Sequence, residues 1–324
     1  MNRLTLRVTG LITALAAWMA GPLSAQDSQR ETTAERDAWL PELVFPAAEG
    51  IDQMFNIILV LTSVVGIVVL LLLVVFLIQY RHKPGRRARF IHGDNRVEAA
   101  WTLIPAVILV LISAMSQATW SDLKNPPISP GDEDVVEVRV VAQQFLWNFQ
   151  YPGADGKLGP RRADLVDPNA GDPAGQIGLD RSHPDGADDV VTQTMVIPVD
   201  RKVYIHLTSR DVIHSFFLPN FRVKQDAVPG LSAKVWLEAT RTSAEVIGTD
   251  PANPLRALNN DTFQYVHISD AKPFDIVCAE LCGQGHYKMR GQLYVVTAEQ
   301  FDRWIEVEQN NVTAGDDDAG GFDY

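Results

Sequence analysis

Residues 278–289 read C-A-E-L-C-G-Q-G-H-Y-K-M, placing Cys278, Cys282, His286 and Met289 within one short loop. Thiolate and thioether are soft ligands and imidazole is intermediate, a set suited to copper and not to calcium or magnesium. A mononuclear blue-copper site takes one Cys, two His and a weak Met. Two cysteines therefore suit a pair of coppers sharing bridging thiolates. They equally suit a disulfide if the domain lies outside the cytoplasm, since they are the only cysteines in the chain. Only one histidine lies in the loop, so a second imidazole must come from elsewhere.

His214 supplies it. The residue sits in D-V-I-H-S-F-F-L-P, just after a stretch with strand character, residues 202–207. A distant upstream ligand joined to a C-terminal cluster is how a β-sandwich assembles a metal site from loops at one end. His206 and His267 match no ligand position and read as structural histidines.

Together these residues resemble subunit II of the haem–copper cytochrome c oxidases, whose pattern is C-x-E-x-C-x-x-x-H-x-x-M preceded by D-V-x-H-S. The resemblance runs from the membrane region to the end of the loop. It implies a binuclear CuA centre in which Cys278 and Cys282 bridge two copper ions. His214 and His286 would cap one copper each, Met289 would be a weak ligand, and Glu280 would offer its backbone carbonyl. The Glu280 side chain would face the catalytic subunit and help to hold a magnesium ion there, in keeping with hard-cation chemistry.

The N-terminal region agrees with a site outside the cytoplasm. Residues 1–25 carry Arg3 and Arg7, an apolar run over 8–21, then P-L-S-A, the layout of a secretory signal cut after Ala25. An uncleaved anchor is the weaker reading because the run is short for a span. Residues 26–50 would form an extracytoplasmic segment.

Two longer apolar stretches follow, residues 56–78 and 99–118, and each is long enough to cross a bilayer. They predict a transmembrane hairpin over residues 51–120, with Trp101 and Trp120 as interfacial anchors. The connecting loop, 81–96, holds Arg81, Lys83, Arg86, Arg87, Arg89 and Arg96 against Asp94 alone. Such a loop stays cytoplasmic under the positive-inside rule, which puts both flanks outside. The chain is thereby expected in a bacterial-type inner membrane with its C-terminal domain in the periplasm.

Near the start of the second stretch, residues 98–105 read E-A-A-W-T-L-I-P. By spacing alone Glu98 suits a solvated helix end better than a proton route. The family has E-x-x-W-T-x-x-P here, and its Glu marks the entrance of the proton channel called the K pathway. Glu98 resembles that residue.

Beyond Trp120 the composition becomes that of a soluble domain, after the linker N-P-P-I-S-P at 125–130. Strand-like stretches at 135–142, 190–197, 202–207, 234–239 and 292–296 predict an all-β sandwich. The resemblance implies a cupredoxin-like Greek-key fold over residues 121–304. Residues 152–189, rich in Gly, Asp and Pro, read as a long surface insertion held by partner contacts. Residues 305–324 read as an acidic tail ending A-G-D-D-D-A-G-G-F-D-Y, of disordered composition from 314 onward.

From Ser121 onward the chain has 31 acidic and 18 basic residues, a net of −13 (18 − 31). An acidic face can steer a basic protein by long-range attraction, and cytochrome c is the donor that the family implies. Asp211, three residues before His214, is a docking candidate. No basic face supports nucleic-acid binding. One departure concerns the donor. The family often has Q-W-x-W-x-Y-x-Y, with its first Trp above the copper at the point where electrons arrive. Residues 144–151 here read Q-F-L-W-N-F-Q-Y, so Phe145 holds that place and Trp147 keeps the second aromatic.

The reading is thus a two-helix membrane hairpin followed by a copper-bearing sandwich. It would accept electrons from cytochrome c near Phe145 and Trp147 and pass them to haem in subunit I, where oxygen is reduced and protons are pumped. Subunit III is a further expected partner. The chain has no C-x-x-C-H, so haem belongs to the partner and the chain is not catalytic alone. A quinol-oxidase subunit would lack the ligand set. Nitrous oxide reductase would need a second large metal domain. A membrane-anchored copper carrier leaves the Glu98 motif unexplained.

Overall fold

Two long helices, Glu49–Gln79 and Asn95–Lys124, bury no residue against the rest of the chain. Their Val, Leu and Ile side chains point outward all round, and a helix apolar on every face needs lipid as its solvent. The second helix starts where Asp94 accepts the backbone N–H of Arg96 at 2.9 Å. The first ends where Arg86 donates to the carbonyl of Gln79 at 2.8 Å, a cation placed on the last-turn carbonyls. The computed structural model describes residues 40–315, apart from 88, 89, 91, 126, 253 and 260–263. The expected signal sequence, Arg89 of the basic loop and residues 316–324 of the acidic tail lie outside the described residues.

Among the described residues, twelve strands follow the hairpin: β1 (Val135–Gln143), β2 (Leu146–Tyr151), β3 (Val190–Thr192), β4 (Thr194–Pro198), β5 (Lys202–Ser209), β6 (His214–Leu218), β7 (Val223–Ala227), β8 (Ala233–Glu238), β9 (Leu255–Asn259), β10 (Gln264–Ser269), β11 (Phe274–Cys278) and β12 (Arg290–Val296). They make two five-stranded sheets, ordered β3-β2-β1-β5-β8 and β4-β12-β11-β6-β7, with β9 and β10 as a separate pair. The sheets are mixed: β1 and β5 are parallel, as are β4 and β12. Inward residues such as Val138, Val140, Val203, Ile205, Phe216, Ile276 and Leu293 alternate along their strands and are fully buried, which is the pattern of two sheets sharing one core. The predicted strand at 190–197 is in fact two. Gln193 breaks it, and the chain passes from the first sheet to the second there.

Residues 152–189 are anchored from within the chain. Asp189 is buried and accepts the amides of Gly153 (3.2 Å) and Gly159 (2.8 Å) and the side chain of Gln150. A short helix, Pro173–Ile177, lays Ala174 and Ile177 on Val141 of β1. The C-terminal helix, Ala298–Gly315, carries the chain as regular structure well past residue 304, and Phe301 and Trp304 on it pack against Tyr151.

Hairpin and sandwich belong to one compact unit. Arg222, just after β6, meets Asp52 of the first helix through two contacts of 2.7 and 2.9 Å. The Trp236 indole donates to the carbonyl of Leu123 at 3.1 Å, and Lys124 donates to Gln225. Phe45 packs edge-on against Trp236 with ring centres 4.8 Å apart. These contacts orient the sandwich relative to the membrane helices.

Candidate metal centre

Antiparallel pairing brings the ligands together. β6 and β11 run side by side with Phe216 opposite Cys278, and the amide of Ala279 donates to Ser215 at 3.0 Å. The start of β6 therefore lies against the end of β11, which sets His214 beside Cys278 although 64 residues separate them. The loop 278–289 then folds back into β12, its base closed by Cys278 N–H donating to the carbonyl of Met289 at 3.2 Å.

Two sulfurs, Cys278 Sγ and Cys282 Sγ, are 3.8 Å apart and both thiols are free. A disulfide would need about 2.05 Å. Cys278 Sγ lies 3.9 Å from His214 Nδ1, and Cys282 Sγ lies 3.6 Å from His286 Nδ1. Metal–nitrogen and metal–sulfur bonds of about 2.0 and 2.3 Å, as at zinc, span about 3.5–3.7 Å at tetrahedral to trigonal angles. The Cys282–His286 distance falls in that range, and Cys278–His214 lies just beyond it. Met289 Sδ lies 3.1 Å from His214 Nδ1 and 3.8 Å from Cys282 Sγ, and the Glu280 carbonyl is 3.2 Å from Cys278 Sγ. The nitrogen, sulfur, thioether and carbonyl donors fit copper. The ligand atoms of His214, Cys278 and Cys282, all buried, fall within 4.8 Å of one another.

Surrounding groups hold this set. Asp211 accepts from His214 Nε2 at 2.8 Å, leaving Nδ1 as the free lone pair facing the sulfurs. Burial pushes the Asp211 carboxyl up, but hydrogen bonds from His214 and from the amides of Gln144 and Val212 outweigh it and bring the group down to about 2. Burial, followed by the neighbouring Cys278 thiol, pushes Cys282 up to about 11. Metal binding here must release protons. Gly283 adopts φ +135, and the Gln144 side chain reaches its neighbour's carbonyl, Cys282 O, at 2.5 Å. A Cβ on Gly285 would meet the Phe145 ring at 2.4 Å, so that ring lies close against the loop.

The remaining predicted residues fall in different places. Phe145 is half-buried against the loop. Trp147 is 1% exposed, packed between His214 and Phe216, and forms the wall behind the ligands where no partner reaches it. The Glu280 side chain is exposed, with Leu281 and Tyr287 also projecting to solvent. Glu98 lies on the first turn of the second membrane helix, remote in the chain from the sandwich. Asp211, the docking candidate, is turned onto His214 and keeps its side chain 23% exposed. His206 pairs with Glu137 at 2.6 Å, a structural role. Sequence reading did not find Gln144 as a loop support; its only signal was its place beside the aromatic run.

The model of the cytochrome c oxidase subunit II transmembrane domain matches residues 37–118, and that of its periplasmic domain matches residues 179–247. The alternative cytochrome c oxidase subunit 2 of Bradyrhizobium diazoefficiens is 30% identical over 261 residues, covering 80% of each chain. The chain belongs to the cytochrome c oxidase subunit II family. Its relative in Thermostichus vulcanus, cytochrome c oxidase subunit 2, is 31% identical over 298 residues, covering 85% of this chain and 80% of its own. As a subunit II, the chain has both expected parts: two membrane-spanning helices and a cupredoxin-like sandwich. The periplasmic-domain match takes in Asp211 and His214 and stops short of the loop 278–289. The thiolate half of the site therefore stands on its own sequence and geometry.

Proposed function

We propose that this chain is the electron-accepting subunit of a respiratory cytochrome c oxidase and holds a binuclear copper centre. Cys278 and Cys282 would bridge the two ions, His214 and His286 would cap them, and Met289 and the Glu280 carbonyl would be weak ligands. When bound, the copper pair supplies a one-electron acceptor and donor between cytochrome c and the haem of subunit I, where oxygen is reduced to water and protons are translocated. The observation that carries this reading is the pair of free thiols 3.8 Å apart, each beside a histidine nitrogen.

The protein's own contribution is rigidity and exclusion of water. β6 and β11 fix His214 and Cys278 through sheet hydrogen bonds, and Asp211 fixes the imidazole orientation. Trp147 and Phe216 close the inner side. A ligand set that cannot rearrange keeps the cost of a charge change low. Phe145, half-buried against the loop, is the favoured contact for the donor, with the acidic domain steering a basic cytochrome c. Exposed Glu280 is placed to help hold magnesium against subunit I, and subunit III completes the expected assembly. The orientation is that of an inner-membrane protein with the copper domain in the periplasm.

Metal analysis and electron paramagnetic resonance of the full-length chain in detergent test the central claim. Two coppers per chain sharing one unpaired electron are expected; an oxidised Cys278–Cys282 disulfide in copper-treated protein would refute it. For Glu98, proposed at the proton-uptake end of the K pathway, Glu98→Ala in the assembled oxidase should slow proton uptake during reduction of the catalytic site. Unchanged uptake removes that role.

A further inference from the structure

A cavity of about 260 Å³ lies where the hairpin meets the sandwich. Ile51, Trp120, Leu123, Val235 and Trp236 make its apolar wall, while Lys124, Lys224 and Lys234 stand around it and no carboxylate residue lines it. Arg222, also at its edge, is neutralised by Asp52.

We infer that this cavity binds an anionic phospholipid of the surrounding bilayer, its phosphate between Lys224 and Lys234 and its first methylenes against Trp120 and Leu123. Depth is the first argument. Trp120 is one turn from the end of the second span and 57% exposed, and such a Trp sits at the boundary of hydrocarbon and headgroups. The cavity therefore opens at phosphate level.

Charge is the second argument. The chain is acidic, with net charge −12, and the portion after the hairpin is more so. A lining of cations without carboxylates runs against that background. Lys124 already donates to Gln225. Lys224 and Lys234 are both exposed, and among the described residues neither has a carboxylate partner. Lys224 instead lies 4.4 Å over the Phe217 ring. Their strands, β7 and β8, hold the two stems at fixed places in opposite sheets. At this depth the abundant anion is a lipid phosphate, and a cationic rim on an apolar wall matches both halves of that molecule. A polar partner protein would be matched by the rim alone.

The test uses the assembled oxidase, unaltered and with Lys224→Gln plus Lys234→Gln, stripped of lipid and equilibrated with phosphatidylcholine vesicles containing phosphatidylglycerol. Lipid retained after re-purification is measured by mass spectrometry, and the difference between the two enzymes isolates this site. One retained phosphatidylglycerol should be lost from the double variant. Each single substitution should weaken retention about fivefold, the worth of one lysine near an anionic surface. Lys234→Arg should retain the lipid. Equal retention by the double variant would overturn the inference, as would phosphatidylcholine held equally well. Displacement of the lipid by inorganic phosphate at equal concentration would also overturn it, because the apolar wall would then contribute nothing. Both lysines are exposed, so an unchanged thermal midpoint checks that folding is intact.

Discussion

His214 is clamped between unlike partners: its Nε2 lies 2.8 Å from Asp211 and its Nδ1 lies 3.1 Å from the sulfur of Met289. The carboxylate decides which nitrogen keeps its proton, and so which lone pair meets a metal.

Replacing that carboxylate should loosen copper without emptying the site. Asp211→Asn keeps the size but offers a weaker acceptor to the imidazole and to the amides of Gln144 and Val212. Copper affinity should fall about 10- to 100-fold, the usual loss when such a supporting partner is removed. Competition against a chelator of known affinity measures it, and an unchanged affinity would show that sheet pairing alone orients His214.

A methyl group at Gly285 should spoil the loop through Phe145. The added Cβ would sit 2.4 Å from the ring, inside any tolerable contact. Gly285→Ala is expected to cost about 1–3 kcal/mol, the range for overfilled sites, and to lower copper retention. Phe145→Ala in the same chain should restore much of the loss. A double-mutant cycle on denaturation midpoints reads the coupling, and additive effects would mean that the ring is not what the methyl meets.

How far the sequence reached depended on which force holds each part. The proposed ligands could be picked out because four of the side chains share twelve consecutive residues, where local spacing carries the chemistry. The hairpin was legible because lipid demands long uninterrupted apolar runs. β6 and β7 were missed: H-S-F-F-L and V-K-Q-D-A lack clean alternation, and their strand form comes from pairing with each other and, for β6, with β11. The insertion's internal anchors were not legible, because they include hydrogen bonds to one buried carboxylate, Asp189, which composition treats as a mark of solvent. Asp211 and Trp147 carried the right residue types, but which way a side chain turns is settled only by tertiary contacts.

That carboxylate gives a pH signature. Burial pushes Asp189 up, against the hydrogen bonds from Gln150, Gly159 and Gly153 and the nearby Arg139, which pull it down. A native pKa above the unfolded value, about 3.9, makes the native state hold the proton more tightly. Its contribution is full below the unfolded value and is lost as pH rises through the raised native one. Asp189→Asn cannot titrate and should lack this slope. It should also cost about 1–3 kcal/mol, because its amide would face donors that need an acceptor. Denaturant midpoints across the acid range measure both effects, and a slope that survives the substitution would assign it to another group.

β6 has a proposed metal ligand, His214, at its first residue, and the clamp to the membrane helices, Arg222, follows one short turn after its last. Five residues of strand measure roughly 17 Å, and hydrogen bonds to β7 and β11 on either side keep the strand from sliding. Its length works as a ruler that sets how far His214 stands from the Arg222 clamp. One residue inserted in β6 would shift that spacing as well as invert the strand's faces. This five-residue strand beside the site is then the part least free to drift in length.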